Sequence, residues 1–192
     1  MSSSHYLIQE VLTLLLPLDS SSILDAACGR GKWGFLIKLH LKDMYVIGLD
    51  LSIENLLTAK KSGAYDDVIH GDVRHLPFRD GAIRASLACE VIEHLTRVDG
   101  VLMLKELMRV TRKEVLITTP YAEWWFDSRN RAGGHITRWH PRELRRFGFK
   151  VRGIGSRFRV RGKFAYLLRE FVLSPASYVI PEIGEFLIAI KR

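Results

Sequence analysis

The chain has 192 residues, 47% of them apolar and 26% charged. That suits one globular domain, residues 1–192, with a sizeable core, and leaves too little chain for two. No apolar run reaches the roughly 18 residues that a bilayer-spanning helix needs. Cys28 and Cys89 show no metal or redox spacing, which suits a reducing, cytoplasmic compartment.

The net charge of +8 is unevenly spread. Residues 129–163 hold twelve Lys or Arg and one acid, Glu143, so that segment is +11 and the remainder is −3. Such asymmetry points to an acidic partner or substrate, or to a solvated basic surface.

In chain order, the apolar stretch Val11–Leu16 is preceded by no Lys or Arg, so it reads as a short amphipathic helix stopping near Pro17 and not as a signal peptide. Ile23–Ala26 is a first strand, followed by a helix that begins after Gly31 and runs through Leu39. Tyr45–Leu49 is the second strand, Glu54–Lys61 a helix and Val68–His70 a short third strand. Arg84–Cys89 reads as a fourth strand buried on both faces. Val101–Arg112 has apolar residues at helical spacing, and a fifth strand, Val115–Thr118, is ended by Pro120. Pro141 opens a helix through Phe147, capped by Gly148. Phe149–Ile154 and Glu185–Ile190 are the last strands. This alternation predicts an α/β fold with a mainly parallel sheet.

Gly29-x-Gly31-x-x-Gly34 follows a strand and opens a helix. Alone it matches a dinucleotide fingerprint. Asp25, at the end of the first strand, would crowd a pyrophosphate, whereas S-adenosylmethionine (AdoMet) carries a cationic amino group and a sulfonium that welcome a carboxylate. Asp50 ends the second strand and can accept both hydroxyls of a ribose. After the third strand, Asp72 can accept from an adenine amino group, and the Val73 N–H can reach a ring nitrogen. All three acids fall on the carboxyl edge of the sheet, where open α/β sheets bind ligands, although acids there also serve as helix caps and turn residues.

Together, Ile23-Leu24-Asp25-x-x-Cys28-Gly29-x-Gly31, then Gly48-Leu49-Asp50-Leu51-Ser52, then Gly71-Asp72-Val73-Arg74-His75-Leu76-Pro77-Phe78, resemble the class I AdoMet-dependent methyltransferases, most closely the subgroup containing the ubiquinone-biosynthesis O-methyltransferases. The resemblance implies a doubly wound, Rossmann-like sheet of about seven strands, mostly parallel with an antiparallel last strand, and helices on both faces. It implies AdoMet held by Asp25, Ala27, Gly29 and Gly31 of the turn, by Asp50 and Leu51, and by Asp72 and Val73, with Glu90 bordering it.

Glu90-Val91-Ile92-Glu93-His94 follows the fourth strand. If helical from Glu90, residues 90, 93 and 94 share one face, and two carboxylates with an imidazole suit a divalent cation, Mg or Zn. Similar segments in some ubiquinone O-methyltransferases and in small-RNA 2′-O-methyltransferases hold a metal that grips vicinal hydroxyls. The small-RNA group adds a later histidine, for which His135 is the match, while His140 is offset from the second one. The alternative is a metal-free loop. For a hydroxyl acceptor, His94 or His135 is the candidate catalytic base.

The acceptor side is open at this level. Tyr121, Trp124, Trp125, Phe126 and Trp139 either stack on a planar acceptor or pack a lid. Basic residues interleaved with aromatics fit RNA, an anionic lipid or a phosphorylated small molecule. The apolar stretch Phe164–Ile190 suits a greasy acceptor. A methyltransferase acting on oxygen of a small-molecule or lipid-like acceptor leads, ahead of an RNA methyltransferase and an AdoMet-binding protein without catalysis.

Overall fold

The structure, a computed structural model, describes residue 11, residues 22–126 and residues 134–192. The expected N-terminal helix lies outside the described residues except for Val11, which is helical and buried.

The elements are β1 (Ser22–Ala26), α1 (Lys32–His40), β2 (Tyr45–Asp50), α2 (Ile53–Lys61), β3 (Asp67–His70), β4 (Ile83–Cys89), α3 (Arg97–Val110), β5 (Thr111–Pro120), α4 (Pro141–Arg146), β6 (Lys150–Ile154), α5 (Lys163–Leu168) and β7 (Phe186–Lys191). A π-helical stretch, Arg169–Leu173, and a last turn, α6 (Ser174–Ser177), extend α5 into one helical run. That run was not anticipated; prolines and acids at residues 170–182 obscured its pattern.

Seven strands form one sheet in the order β3-β2-β1-β4-β5-β7-β6. β7 runs antiparallel to both β5 and β6, and all other neighbours pair in parallel. The expected architecture is therefore the observed one. β5 is longer than its apolar centre suggested. It starts at Thr111, straight after α3, and carries its pairing to Pro120 opposite Phe186.

Successive strand residues point to opposite faces, and the two cores show it. Leu24, Ile47 and Ile117 pack with α3 on one side. Ile23, Val46 and Leu116 pack with Trp33 and Ile37 of α1 on the other. Central strands buried on both faces are mostly apolar, as in β1 and β4, where buried Asp25 and Ser86 are the exceptions. Strand order reverses between β1 and β4, so their carboxyl ends open a crevice at a topological switch point.

Trp139 shows how tightly the α3 face is packed. It is 1% exposed, its Nε1 donates to the Ile92 carbonyl at 3.3 Å, and its ring fills the space beside Gly100. A Cβ on Gly100 would lie 2.5 Å from Trp139 Cζ2. Helix propensity alone favours Ala over Gly by about 1 kcal/mol. Gly100→Ala is nevertheless expected to destabilise the fold by about 1–3 kcal/mol through overpacking. Denaturant unfolding measures the sign directly.

Candidate active site

The glycine turn after β1 is built around a side chain from elsewhere. Tyr65, which follows α2, pushes its ring beneath the turn. Its hydroxyl donates to Asp25 Oδ2 at 2.6 Å and accepts from the Gly34 N–H at 3.1 Å. A Cβ on Gly34 would sit 2.2 Å from Tyr65 Cζ, one on Gly48 2.9 Å from Cδ1, and one on Gly31 3.2 Å from Cε2. Three glycines on three segments thus clear room for one phenol.

Asp25 is buried under the turn and does not line the cleft. Burial pushes its carboxyl up to about 7; the Tyr65 hydrogen bond opposes this and the Asp50 charge adds to it. Asp50 also serves the turn. Its Oδ2 accepts from the Gly29 N–H at 2.8 Å, and its Oδ1 accepts from the Ser52 N–H at 2.8 Å and Asn55 Nδ2 at 3.3 Å. Leu51, beside it, is exposed. Asp72 is held by Arg74, whose guanidinium donates to both carboxylate oxygens at 2.6–3.0 Å and reaches on to Asp99 at 3.1 Å. Val73 packs into the α3-side core.

A cleft of about 400 Å³ opens at the switch point. Ala27, Cys28 and Gly29 form one wall, Glu90, Glu93 and His94 another, and Trp125, His135 and Phe186 a third. That size is within the usual range for small-molecule sites. Ala27 at φ 62° and Glu90 at φ 60° are the non-glycine residues with left-handed backbone among the described residues. Each follows the strand end on its side of the switch point. Such conformations cost on the order of 1–3 kcal/mol and cluster at ligand sites.

Glu90's conformation corrects one expectation. The segment does not turn helical at Glu90. The Glu90 N–H instead donates to Thr118 O at 2.9 Å, and a single 3₁₀ turn starts at Ile92. Glu90 therefore shares no helical face with Glu93 and His94. Of the four residues expected to ligate a metal, Glu93, His94 and His135 bring their ligand atoms within 4.8 Å of one another, and Glu90 is not in that group.

Glu93 is 0% exposed. Its Oε2 accepts from Thr119 Oγ1 at 3.0 Å, while Oε1 is buried with no hydrogen-bond partner. Burial pushes this carboxyl up to about 8, with the Glu90 charge adding to it. The His94 and His135 rings meet edge to face, with centroids 4.8 Å apart. His94 Nδ1 lies 3.2 Å from Gly134 O and His135 Nδ1 3.0 Å from Trp125 O. A carbonyl only accepts, so each Nδ1 carries a proton, which leaves Nε2 as the other ring nitrogen for chemistry. Desolvation, with the neighbouring His135, lowers the His94 pKa and keeps that ring neutral. Cys28 is pushed up to about 12 and Cys89 well above its usual range, mainly by burial, so both are neutral thiols.

The aromatics divide. Tyr121 and Trp139 are core residues, and Trp125 lines the cleft. Trp124 lies under the Arg159 guanidinium, 4.7 Å from its ring centre. Part of the basic segment is paired: Arg138 and Arg157 both reach Glu123, at 3.2 and 3.3 Å, and Arg145 reaches Glu182 at 3.2 Å.

Residues 23–114 match the family model described as a methyltransferase domain. Among curated proteins, the chain is 34% identical over 107 residues to the malonyl-[acyl-carrier protein] O-methyltransferase of Pectobacterium atrosepticum, covering 54% of this chain and 40% of that one. The chain thus spans less than half the length of that relative. Among solved structures, a SAM-dependent methyltransferase from Archaeoglobus fulgidus superposes with a TM-score of 0.69 at 16% identity, covering 98% of this chain and 94% of that one. The small RNA methyltransferase HEN1 superposes with a TM-score of 0.66 at 16% identity, covering 100% of this chain and 27% of that one. The structural likenesses establish the Rossmann-like methyltransferase fold. The family match covers residues 23–114, and no match singles out the ubiquinone-like subgroup.

Two outcomes follow. Tyr65→Phe leaves the Asp25 carboxyl short of a buried partner, so it is expected to lower stability by about 1–3 kcal/mol, read from denaturant midpoints. Asp25 and Glu93 hold protons when folded up to about 7 and about 8, against ordinary values of 3.8 and 4.5. The folded chain therefore binds more protons than the unfolded chain across that window, and the ligand-free protein loses stability as pH rises through it. In a pH series of melting temperatures, Asp25→Asn is expected to flatten the lower part and Glu93→Gln the upper part.

Proposed function

We propose that this chain, taken as one domain over residues 1–192, is an AdoMet-dependent methyltransferase that methylates oxygen on a small-molecule or lipid-like acceptor. The observation that carries this reading is the grouping of Glu93, His94 and His135 across the switch-point cleft from the glycine turn. AdoMet would lie along that turn, with Ala27, Gly29 and Gly31 against it and Glu90 at its border. Asp25 would act from beneath the turn as a negative charge under the cationic methionine end. Asp50 keeps lone pairs for the ribose beside those used by Gly29 and Ser52. Leu51 would flank the adenine, the Val73 N–H would reach a ring nitrogen, and Asp72, fixed by Arg74, would face its amino group.

The chemistry is an in-line displacement. An acceptor oxygen bonds to the methyl carbon as the carbon–sulfur bond breaks, and the sulfur keeps the electron pair. Orientation can contribute on the order of 7–11 kcal/mol. The acceptor's proton must leave, and a neutral imidazole of His94 or His135 can take it through Nε2. Glu93 can polarise either ring or share the proton.

The same three side chains fit a divalent cation. Glu93 has an oxygen without a partner, and both histidines already donate Nδ1–H to carbonyls, as metal-ligating histidines do. Two imidazoles suit Zn better than Mg. When bound there, a cation would lower the pKa of an acceptor hydroxyl.

O-methylation is favoured by those sequence relatives whose printed name is malonyl-[acyl-carrier protein] O-methyltransferase. RNA is the second acceptor class, and the pairing of Arg138, Arg145 and Arg157 with acids weakens it. The test is transfer of labelled methyl from AdoMet to fractionated lipid, small-molecule and RNA pools, with and without EDTA. Label in an extractable small-molecule or lipid fraction, reduced at least about tenfold by His135→Ala, is the expected result. Label confined to RNA would replace the acceptor class. AdoMet binding without turnover in any pool would mark a non-catalytic protein. EDTA insensitivity would remove the cation.

A further inference from the structure

The helical run over residues 163–177 presents its apolar side to solvent. Phe164, Leu167, Leu168, Phe171 and Val172 recur at the i, i+3, i+4, i+7, i+8 spacing that builds one apolar stripe. In α3 that spacing is buried, with Met103, Leu104 and Leu107 fully covered. Here all five are exposed, Phe164 by 82% and Phe171 by 75%. Neither α5 nor its π-helical continuation contains a buried residue. Val179 and Ile180, just beyond the run, are exposed as well. Soluble proteins rarely leave so continuous an apolar surface uncovered.

The charge beside the stripe is mostly positive, although Arg157 and Arg169 pair with acids. Residues 157–180 contain five cations and a single acid, Glu170, which pairs with Arg169 at 3.4 Å. Arg159, Arg161 and Lys163 sit immediately before the stripe, and Arg161 and Lys163 are exposed. A second copy of the chain would bring the same cations to the contact. A bilayer with anionic headgroups supplies both an apolar layer for the stripe and negative charge for the cations, the pattern of interfacial amphipathic helices.

We propose that this face docks the protein onto anionic membrane surfaces, with the run lying in the headgroup plane. The surface is also tied to the cleft. Arg159 stacks on Trp124, next to Trp125 of the cleft wall, and Arg169 reaches Glu185, next to Phe186, at 3.3 Å. Docking would place the cleft's aromatic wall near the lipid surface. It stands on the surface alone and does not depend on what the protein methylates.

Sedimentation of the full chain with vesicles tests it, using phosphatidylcholine alone and phosphatidylcholine with about a third phosphatidylglycerol. The expected result is binding to the anionic vesicles that weakens with salt and is much poorer on phosphatidylcholine. Phe164→Ser/Phe171→Ser is expected to lower partitioning at least about tenfold, and Arg161→Gln/Lys163→Gln on the order of tenfold. All four side chains are exposed; should the aromatic pair misfold by circular dichroism, the cation pair carries the test alone. No binding to anionic vesicles at low salt, or binding unchanged in the variants, overturns the proposal. So does a dimer in light scattering that Phe164→Ser/Phe171→Ser dissociates, since a second copy then covers the face.

Discussion

The site depends on one partly buried hydrogen bond, from the Tyr65 hydroxyl to Asp25 across 40 residues of sequence. The phenol occupies the volume that side chains on Gly31, Gly34 and Gly48 would need. It also takes the Gly34 N–H at the start of α1. The glycine pattern, usually explained by close approach to a ligand and by helix–strand packing, here has a further cause inside the protein. The turn, the end of β2 and the chain after α2 are locked into one block before any ligand arrives. Asp50 adds to the lock by accepting from Gly29. This preorganisation allows a rigid turn to face the cleft with its backbone exposed.

The strand order sets the rest. Because the strand order reverses between the paired strands β1 and β4, the turn after β1 and the segment after β4 border one opening, each beginning with a left-handed residue, Ala27 and Glu90. The two walls differ in chemistry. One is backbone over a buried carboxyl; the other carries a buried carboxyl and two imidazoles. Both carboxyls have high pKa values for the same reason, burial. Without a bound cation burial favours their neutral forms, so a sulfonium or a metal entering the cleft would be matched by charge the site can develop.

The legible part of this architecture was local. Apolar runs bounded by Gly, Pro and Asp marked every strand, and the Gly-x-Gly-x-x-Gly turn with acids at three strand ends marked the ligand edge. What was not legible depends on distant contacts. Nothing near Tyr65 signals that its ring fills space made by residues on α1 and β2. Glu90 was assigned to a helical face by spacing, but pairing with Thr118 holds it in extended-strand company, with a left-handed φ that spacing cannot reveal. The basic stretch at residues 129–163 suggested a free cationic surface, because Glu123 and Glu182, which neutralise part of it, lie outside it in sequence. The exposed stripe on residues 163–177 was visible only as greasiness, since its spacing acquires meaning once the run is known to be helical and uncovered.

The central claim is that the glycine turn, with Asp25 and Tyr65 beneath it, is an AdoMet site and not a dinucleotide site. Titration calorimetry of the full chain with AdoMet, S-adenosylhomocysteine and NADH tests it most directly. Saturable one-to-one binding of AdoMet and S-adenosylhomocysteine, weakened at least about tenfold by Asp25→Ala and absent for NADH, is the predicted result. Binding of NADH without AdoMet binding would contradict it.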